Sequence, residues 1–164
     1  MSTLAATADY FQVQLYPNNS SPSLSQTLLL IPLSDIAEII TVQQREICPL
    51  PGVPQGVTGV LNLRGQLIWT MDLRLLNRDW GDSTRQNPQA KSTLVLVTSE
   101  QGQIGCYVDS LKGIVNCHLG QQREVQTYHQ AAYAFCKSEI ELPNSQLGLL
   151  LDTPQLFQHL QNGR

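Results

Sequence analysis

Residues 49–74 read PLPGVPQGVTGVLNLRGQLIWTMDLR, and the fold turns on their second half. Three prolines and two glycines between residues 48 and 56 make the first part a rigid, irregular connection. GVTGVLNL and QLIWTMDL follow, two apolar segments of β character. Between them stands Arg64–Gly65, a short break containing glycine, which is the pattern of a tight β-hairpin. Arg64 is the one charged residue between Glu46 and Asp72. Its guanidinium presents five donors in a rigid fork, for which a carboxylate is the best match.

Upstream, Glu38 in DIAEII is the acid with the most apolar surroundings. A carboxylate placed there needs a cation or several donors. A Glu38–Arg64 pair would tie this region to the hairpin. If DIAEII is extended, Ile36, Glu38 and Ile40 share one side and Ala37 and Ile39 the other. If it is helical, Ile36, Ile39 and Ile40 share a face instead. The sequence leaves both open.

Working outward, YFQVQL (10–15) and TLLLIPL, ending at Pro32, read as strands around an extended polar loop at 16–27. Residues 73–91 read as a short helix near Leu73 to Asn77 and then a loop around Trp80. TLVLVT (93–98) reads as a central strand, and IGCYVDSLKGIV as one or two strands broken between Asp109 and Gly113. Residues 118–131 are polar and ambiguous. YAFCKSEIELP and LGLLLD supply further strands. TPQLFQHLQ closes as a helix, capped by Asp152 or Thr153, with Pro154 at its first position. Leu156, Phe157 and Leu160 form its apolar face. Eight to ten short strands joined by Gly- and Pro-rich turns predict a barrel-like all-β domain.

The chain has 164 residues, 41% hydrophobic and 14% charged, with a net charge of −3. That length suits one domain with a sizeable core. Charge is scarce against an average of roughly 25%, which fits a protein that works within complexes. No run of Lys or Arg forms a phosphate-binding stripe, so nucleic acid is not an expected partner. The longest apolar stretch is far below the ~20 residues needed to span a bilayer, so direct membrane insertion is not expected. No export signal is read at the N-terminus, and the expected location is cytoplasmic.

A search for chemistry finds little. Cys48, Cys106, Cys117 and Cys136 match no zinc or redox spacing and read as reduced, buried or half-buried thiols. Cys117 and His118 are neighbours, which point apart on a strand. His159 lies beside the apolar stripe of the last helix and reads as solvated. Asp72, Asp109 and Asp152 each end an apolar run. They could gather at one rim as a metal site. The cheaper reading has each accept hydrogen bonds from the turn that ends its strand. No catalytic residue, metal site or cofactor is assigned, and no enzymatic activity is expected.

The 49–74 segment resembles the signature stretch of CheW-like domains, the adaptors that couple bacterial chemoreceptors to a histidine kinase. The resemblance rests on Pro49, Pro51, Gly59, Asn62, Leu63, Arg64 and Gly65, then Asp72 and Leu73. IPLSDIAEII resembles the family's upstream segment at Ile36 and Glu38. IGCYVDSLKGIV resembles its strand closed by Val108 and Asp109, and LGLLLDTPQLF its last strand and helix. Departures are the long 16–27 loop, a second strand without its usual aromatic residue, Trp69 and Thr70 near the hairpin's end, and residues 118–136.

The resemblance implies a mainly β fold of two small five-stranded β-barrel subdomains around a shared hydrophobic core, with a C-terminal helix. It implies a single domain over 8–161 and a tail at 162–164. It also implies a non-catalytic adaptor whose partners are a CheA-like histidine kinase and a methyl-accepting chemoreceptor, at the receptor array. Chemotaxis, phototaxis or pilus-driven motility is the system it would serve. Ile36, Glu38, Gly59, Asn62, Arg64, Gly65, Val108 and Asp109 are the implied protein-binding residues, with Glu38 and Arg64 as a structural ion pair. The alternatives are a family-related scaffold not attached to receptors, and a small-ligand or metal-binding β-barrel.

Overall fold

The computed structural model describes residues 6–76, 88–125 and 134–162. Eleven strands lie among them. They are β1 (Thr7–Gln14), β2 (Thr27–Pro32), β3 (Ile36–Gln43), β4 (Ile47–Cys48), β5 (Val57–Leu63), β6 (Gln66–Met71), β7 (Lys91–Ser99), β8 (Gly102–Val108), β9 (Ser110–His118), β10 (Cys136–Glu141) and β11 (Leu147–Leu151). Two helices accompany them, the single turn α1 (Pro22–Ser25) within the 16–27 stretch and α2 (Thr153–Asn162), which includes Asn162. Leu73–Leu76 forms a 3-10 turn, and Trp80 and His129 fall outside the described residues.

The strands form two sheets of order β10-β11-β2-β1-β9 and β3-β7-β8-β6-β5-β4. The two expected β-barrel subdomains are thus present as sheets of five and six strands, neither of which closes fully among the described residues. The six-stranded sheet stops short because β4 is two residues long and Pro49, lacking a ladder donor, follows it. Beyond β10, among the described residues, an isolated bridge from Arg123 to Glu139 continues the other sheet.

The apolar runs show why the chain folds this way. Leu29 and Ile31 of β2 enter a core shared by the two sheets, while Leu28 and Leu30 enter a core private to the five-stranded one. In β7, Val95 and Val97 join the shared core, and Leu94 and Leu96 a third core inside the six-stranded sheet. Leu149 and Leu151 of β11 alternate with Leu150 in the same manner. These strands are buried on both faces, so they read as continuous apolar runs instead of alternating with polar residues. Each fully buried side chain of this kind contributes about 1.5–3 kcal/mol before entropy is subtracted.

The two sheets repeat one design. A β3–β7 antiparallel pair, a β7–β8 hairpin, a β6–β8 parallel pair and a β5–β6 hairpin build the first. β9–β1, β1–β2, β11–β2 and β10–β11 build the second in the same order and orientation. The 3-10 turn Gln44–Glu46 leading from β3 to β4 corresponds to Leu119–Gln121 leading from β9 to Arg123. The second lobe takes its last two strands from the start of the chain, so it is a circular permutation of the first. α2 packs Leu156, Phe157 and Leu160 on the shared core between them.

Asp152 begins α2. Its carbonyl accepts from the Leu156 amide at 3.1 Å and its Oδ1 from the Gln155 amide at 3.2 Å. Pro154 is thus the second helical residue, not the first. His159, expected to be solvated, is half-buried. Its Nε2 lies 2.9 Å from the Gln55 carbonyl, which ties α2 to the Pro-rich connection, and its ring meets Phe135 at a tilt of 56° with centroids 5.0 Å apart.

Candidate protein-interaction surface

The DIAEII segment is extended, but with a bulge. The register of β3 against β7 shifts between Ile36 and Glu38, so Ala37 is extra. Period-2 alternation slips by one residue there. Ile36 opposes Val97 and faces the shared core together with Ile39, while Glu38 opposes Leu96 and shares its face with Ile40. Ile36 and Glu38 therefore lie on opposite faces, contrary to the alternation expected for a regular strand.

At the tip of the β5–β6 hairpin, Arg64 and Gly65 have φ of 51° and 86°. Two positive φ values make the type I′ turn that suits the twist of paired strands. The Asn62 Oδ1 accepts from the Gly65 amide at 3.0 Å and fixes the turn. From there Arg64 Nη2 donates to Glu38 Oε2 at 2.6 Å. β3 and the hairpin are separated in the sheet by β7 and β8, so this contact exists only because the sheet curls. It sits across the mouth of the third core. The side chains are 69% and 37% exposed, so water and salt screen the pair.

The remaining candidates divide. Asn62, Arg64 and Gly65 are exposed, and Ile36 and Glu38 half-buried, all near the hairpin end of the six-stranded sheet. Asp109 is exposed at the opposite end, its amide bonded to the Gln14 carbonyl at 2.8 Å. Val108 is 5% exposed and belongs to the shared core. Gly59 is buried, with φ of 151°. Both are buried in this structure. Gly59 instead lets β4 cross β5: a Cβ there would lie 2.1 Å from the Cys48 carbonyl oxygen.

The strand-end acids do not gather. Asp72 receives Arg74 Nε and Nη2 at 2.8 and 2.9 Å, and the Arg74 amide at 3.1 Å. Burial alone would lower the Arg74 pKa, but hydrogen bonding and attraction to Asp72, helped by Asp109, hold it above its usual value. Asp152 caps α2. Among the described residues no group of three or more His, Cys, Asp and Glu side chains is placed to hold a metal ion. No helix among them is long and apolar enough to cross a membrane.

Cys106 and Cys117 are buried and Cys136 half-buried, but Cys48 is exposed, which corrects the expectation that all four thiols are sheltered. Burial, with nearby Asp72, pushes the Cys106 thiol up to about 12, and burial with Asp152 raises Cys136. Thiolate is the reactive form. Iodoacetamide at pH 8 should therefore label Cys48 rapidly in native protein and spare Cys106 and Cys136 until denaturant is added. Peptide mapping by mass spectrometry reads this directly, and equal native labelling of all four would contradict the burial.

The five-stranded lobe has its own ion pair. Arg123 Nε donates to Glu139 Oε1 at 2.8 Å, with the Glu139 side chain 2% and Arg123 57% exposed. Their backbones exchange two hydrogen bonds of 2.9 Å. Arg123→Ala strands a buried carboxylate, and should cost about 1–3 kcal/mol. Urea unfolding monitored by far-UV circular dichroism measures this loss. The polar sequence around Arg123 did not single out this residue. Only its pairing opposite a buried Glu reveals it.

Of two exposed apolar residues on β9, the sequence reading covered Leu111, within the candidate contact stretch 105–113, and did not single out Ile114. Leu111 and Ile114 of β9 are 44% and 60% exposed. The Gln12/Val13 irregularity in the β1–β9 pairing, which leaves Lys112 extra, matches the bulge at Ala37. Leu111 and Ile114 thus correspond to Ile36 and Ile39. Two equivalent apolar strips flank the shared core, and the Glu38–Arg64 pair accompanies only one of them.

Two permuted β lobes thus pack around one core, with the exposed Leu111 and Ile114 on one and an exposed ion pair on the other. The family model for the CheW-like domain matches residues 23–161, and the chain belongs to that family. Its fold is also that of the scaffolding protein TtCheW from Thermoanaerobacter tengcongensis, whose crystal structure aligns with a TM-score of 0.70 over 97% of each chain at 17% identity. No curated protein matches the sequence.

Proposed function

We propose that this protein is a non-catalytic adaptor that couples methyl-accepting receptors to a CheA-type histidine kinase, in chemotaxis, phototaxis or pilus-driven motility. Family membership supports the reading, and the exposed pair Leu111/Ile114 carries it. Apolar side chains left exposed on a soluble domain mark binding surfaces when they are contiguous and rimmed by polar groups. Here Leu111 and Ile114 lie on β9, and the exposed Glu38–Arg64 pair stands on the other lobe, where it adds charge selectivity. The adaptor holds no phosphate. It works by keeping two partners in fixed relation, for which a doubly buried β framework is stiff enough. Such a protein resides where its receptors cluster.

The test is affinity capture from native cytoplasmic extract with partners identified by mass spectrometry. Co-recovery of a histidine kinase and a methyl-accepting receptor is expected. Both should be depleted when Ile114→Glu protein is the bait, with Tm unchanged because Ile114 is exposed. Recovery of the kinase alone would replace this reading with a scaffold detached from receptors.

A further inference from the structure

The two lobes differ at the seam where the outer strands of each sheet approach one another. In the six-stranded lobe the Arg64–Glu38 contact spans the seam between the β5–β6 hairpin and β3 at 2.6 Å. The matched registers place Gly113 at the position of Glu38 and Pro143 at that of Arg64. Neither has a side chain that can donate or accept across the seam between β9 and β10, the end strands of the five-stranded sheet. A cavity of about 620 Å3 lies along that seam, within the roughly 300–1,000 Å3 of small-ligand sites.

The cavity floor is apolar. Cys117, Ile140 and Leu142 are buried in the lobe's private core, and Val115 packs against them. Alternation gives the opposite strand faces to Asn116, His118 and Glu141. These three stand exposed at the mouth, with Gln121 and Arg123. Two of the mouth's groups carry opposite charge at set positions. Arg123 bridges Glu139, and Glu141 follows two residues on along the same face of β10. Diagonal neighbours of this kind lie about 7–8 Å apart. Arg123 gives its Nε to Glu139 at 2.8 Å, and among the described residues no ion pair joins it to Glu141.

From this lining we infer that the cavity is a binding site for a small zwitterion with an apolar body, of which an aliphatic α-amino acid such as leucine is the simplest form. Its carboxylate accepts from Arg123, its ammonium donates to Glu141, and its side chain covers Cys117, Ile140 and Leu142. A guanidinium has five N–H donors, so the bond to Glu139 leaves others for a second carboxylate. The two charged ends of an α-amino acid are a few ångströms apart. With one hydrogen bond of about 2.8 Å at each end, they span the separation of diagonal neighbours. An apolar anion would meet Glu141 without compensation, and an apolar amine would meet Arg123 likewise.

The probe is L-leucine, titrated into isotope-labelled full-length protein and followed by the amides of 115–118, 121–123 and 140–142. Saturable shifts confined to these groups are expected at about 1–10 mM ligand. Glycine lacks the apolar body, 4-methylpentanoate the ammonium and 3-methylbutylamine the carboxylate. Each should bind at least about tenfold more weakly than leucine. Glu141→Lys alters an exposed residue, so the unfolding midpoint should stay at wild type while the preference for leucine over 4-methylpentanoate disappears. Absent or scattered shifts would overturn the inference. So would binding of any of the three analogues equal to that of leucine, or a preference that survives in Glu141→Lys. The titration involves neither receptor nor kinase, so its result is independent of the adaptor reading.

Discussion

Gly59→Ala is expected to destabilise the protein by about 3 kcal/mol or more, in the range reserved for severe core strain. The added Cβ would sit 2.1 Å from the Cys48 carbonyl oxygen, 2.7 Å from its carbon and 3.0 Å from the Pro49 Cα. All three are backbone atoms, so no side-chain rotation relieves the clash. The φ of 151° adds strain for any residue with a Cβ. Nor can the strand shift, because the bulge at Thr58 is locked: Thr58 and Thr70 share a hydroxyl hydrogen bond of 2.5 Å, and Thr70 Oγ1 donates to the Gly59 carbonyl at 3.2 Å. Urea unfolding should show a lower midpoint. Gly52→Ala is the control. Gly52 has φ of 71° but open space around it, so only the backbone term of about 1 kcal/mol remains. Equal midpoints for the two variants would refute the close β4–β5 crossing.

Gly59 also shows which features sequence can disclose. The hairpin, the strand content, the terminal helix and the Glu38–Arg64 contact were legible, because each follows from local pattern or from charge complementarity. The role of Gly59 was not. It resembled a binding residue, whereas its reason is an approach by Cys48, eleven positions earlier and on another strand. Val108 likewise lies in the shared core, and a residue ending a strand looks the same in sequence whether its side chain meets a core or a partner. The bulge at Ala37 shifts Ile36 to the other face, and no periodicity argument anticipates one extra residue.

The duplicated lobe design left no trace in the sequence because equivalent positions carry different chemistry. Glu139 stands where the other lobe has Val60, and Ser138 where it has Gly59. Ser138 cannot permit the tight crossing that Gly59 does. Its hydroxyl donates instead to Gln122 at 2.9 Å, and the edge is held by one bridge in place of a short strand. Permutation hides the repeat further, since β1 and β2 are remote in sequence from the strands that complete their lobe.

Arg64→Asn should separate fold from function. Arg64 occupies a left-handed conformation that costs a non-glycine residue about 1 kcal/mol, while Asn tolerates it and Asn-Gly is the preferred type I′ pair. The ion pair lost is solvent-exposed and worth at most about 1 kcal/mol. These terms offset, so the unfolding midpoint should stay close to wild type. Binding of the receptor, the kinase or both should nevertheless fall steeply if the guanidinium is held at the hairpin tip for a partner. Arg64→Glu should lose more, because it also sets a like charge beside Glu38. The exchanged double variant, Glu38→Arg with Arg64→Glu, restores attraction across the lobe's mouth with its polarity reversed. Unrecovered partner binding, measured by co-sedimentation with purified kinase and receptor, would locate the role of Arg64 at the interface. Recovery would assign it to holding the sheet curled. Full binding by all three variants would remove Arg64 from the site altogether, leaving a strained turn without a functional reason.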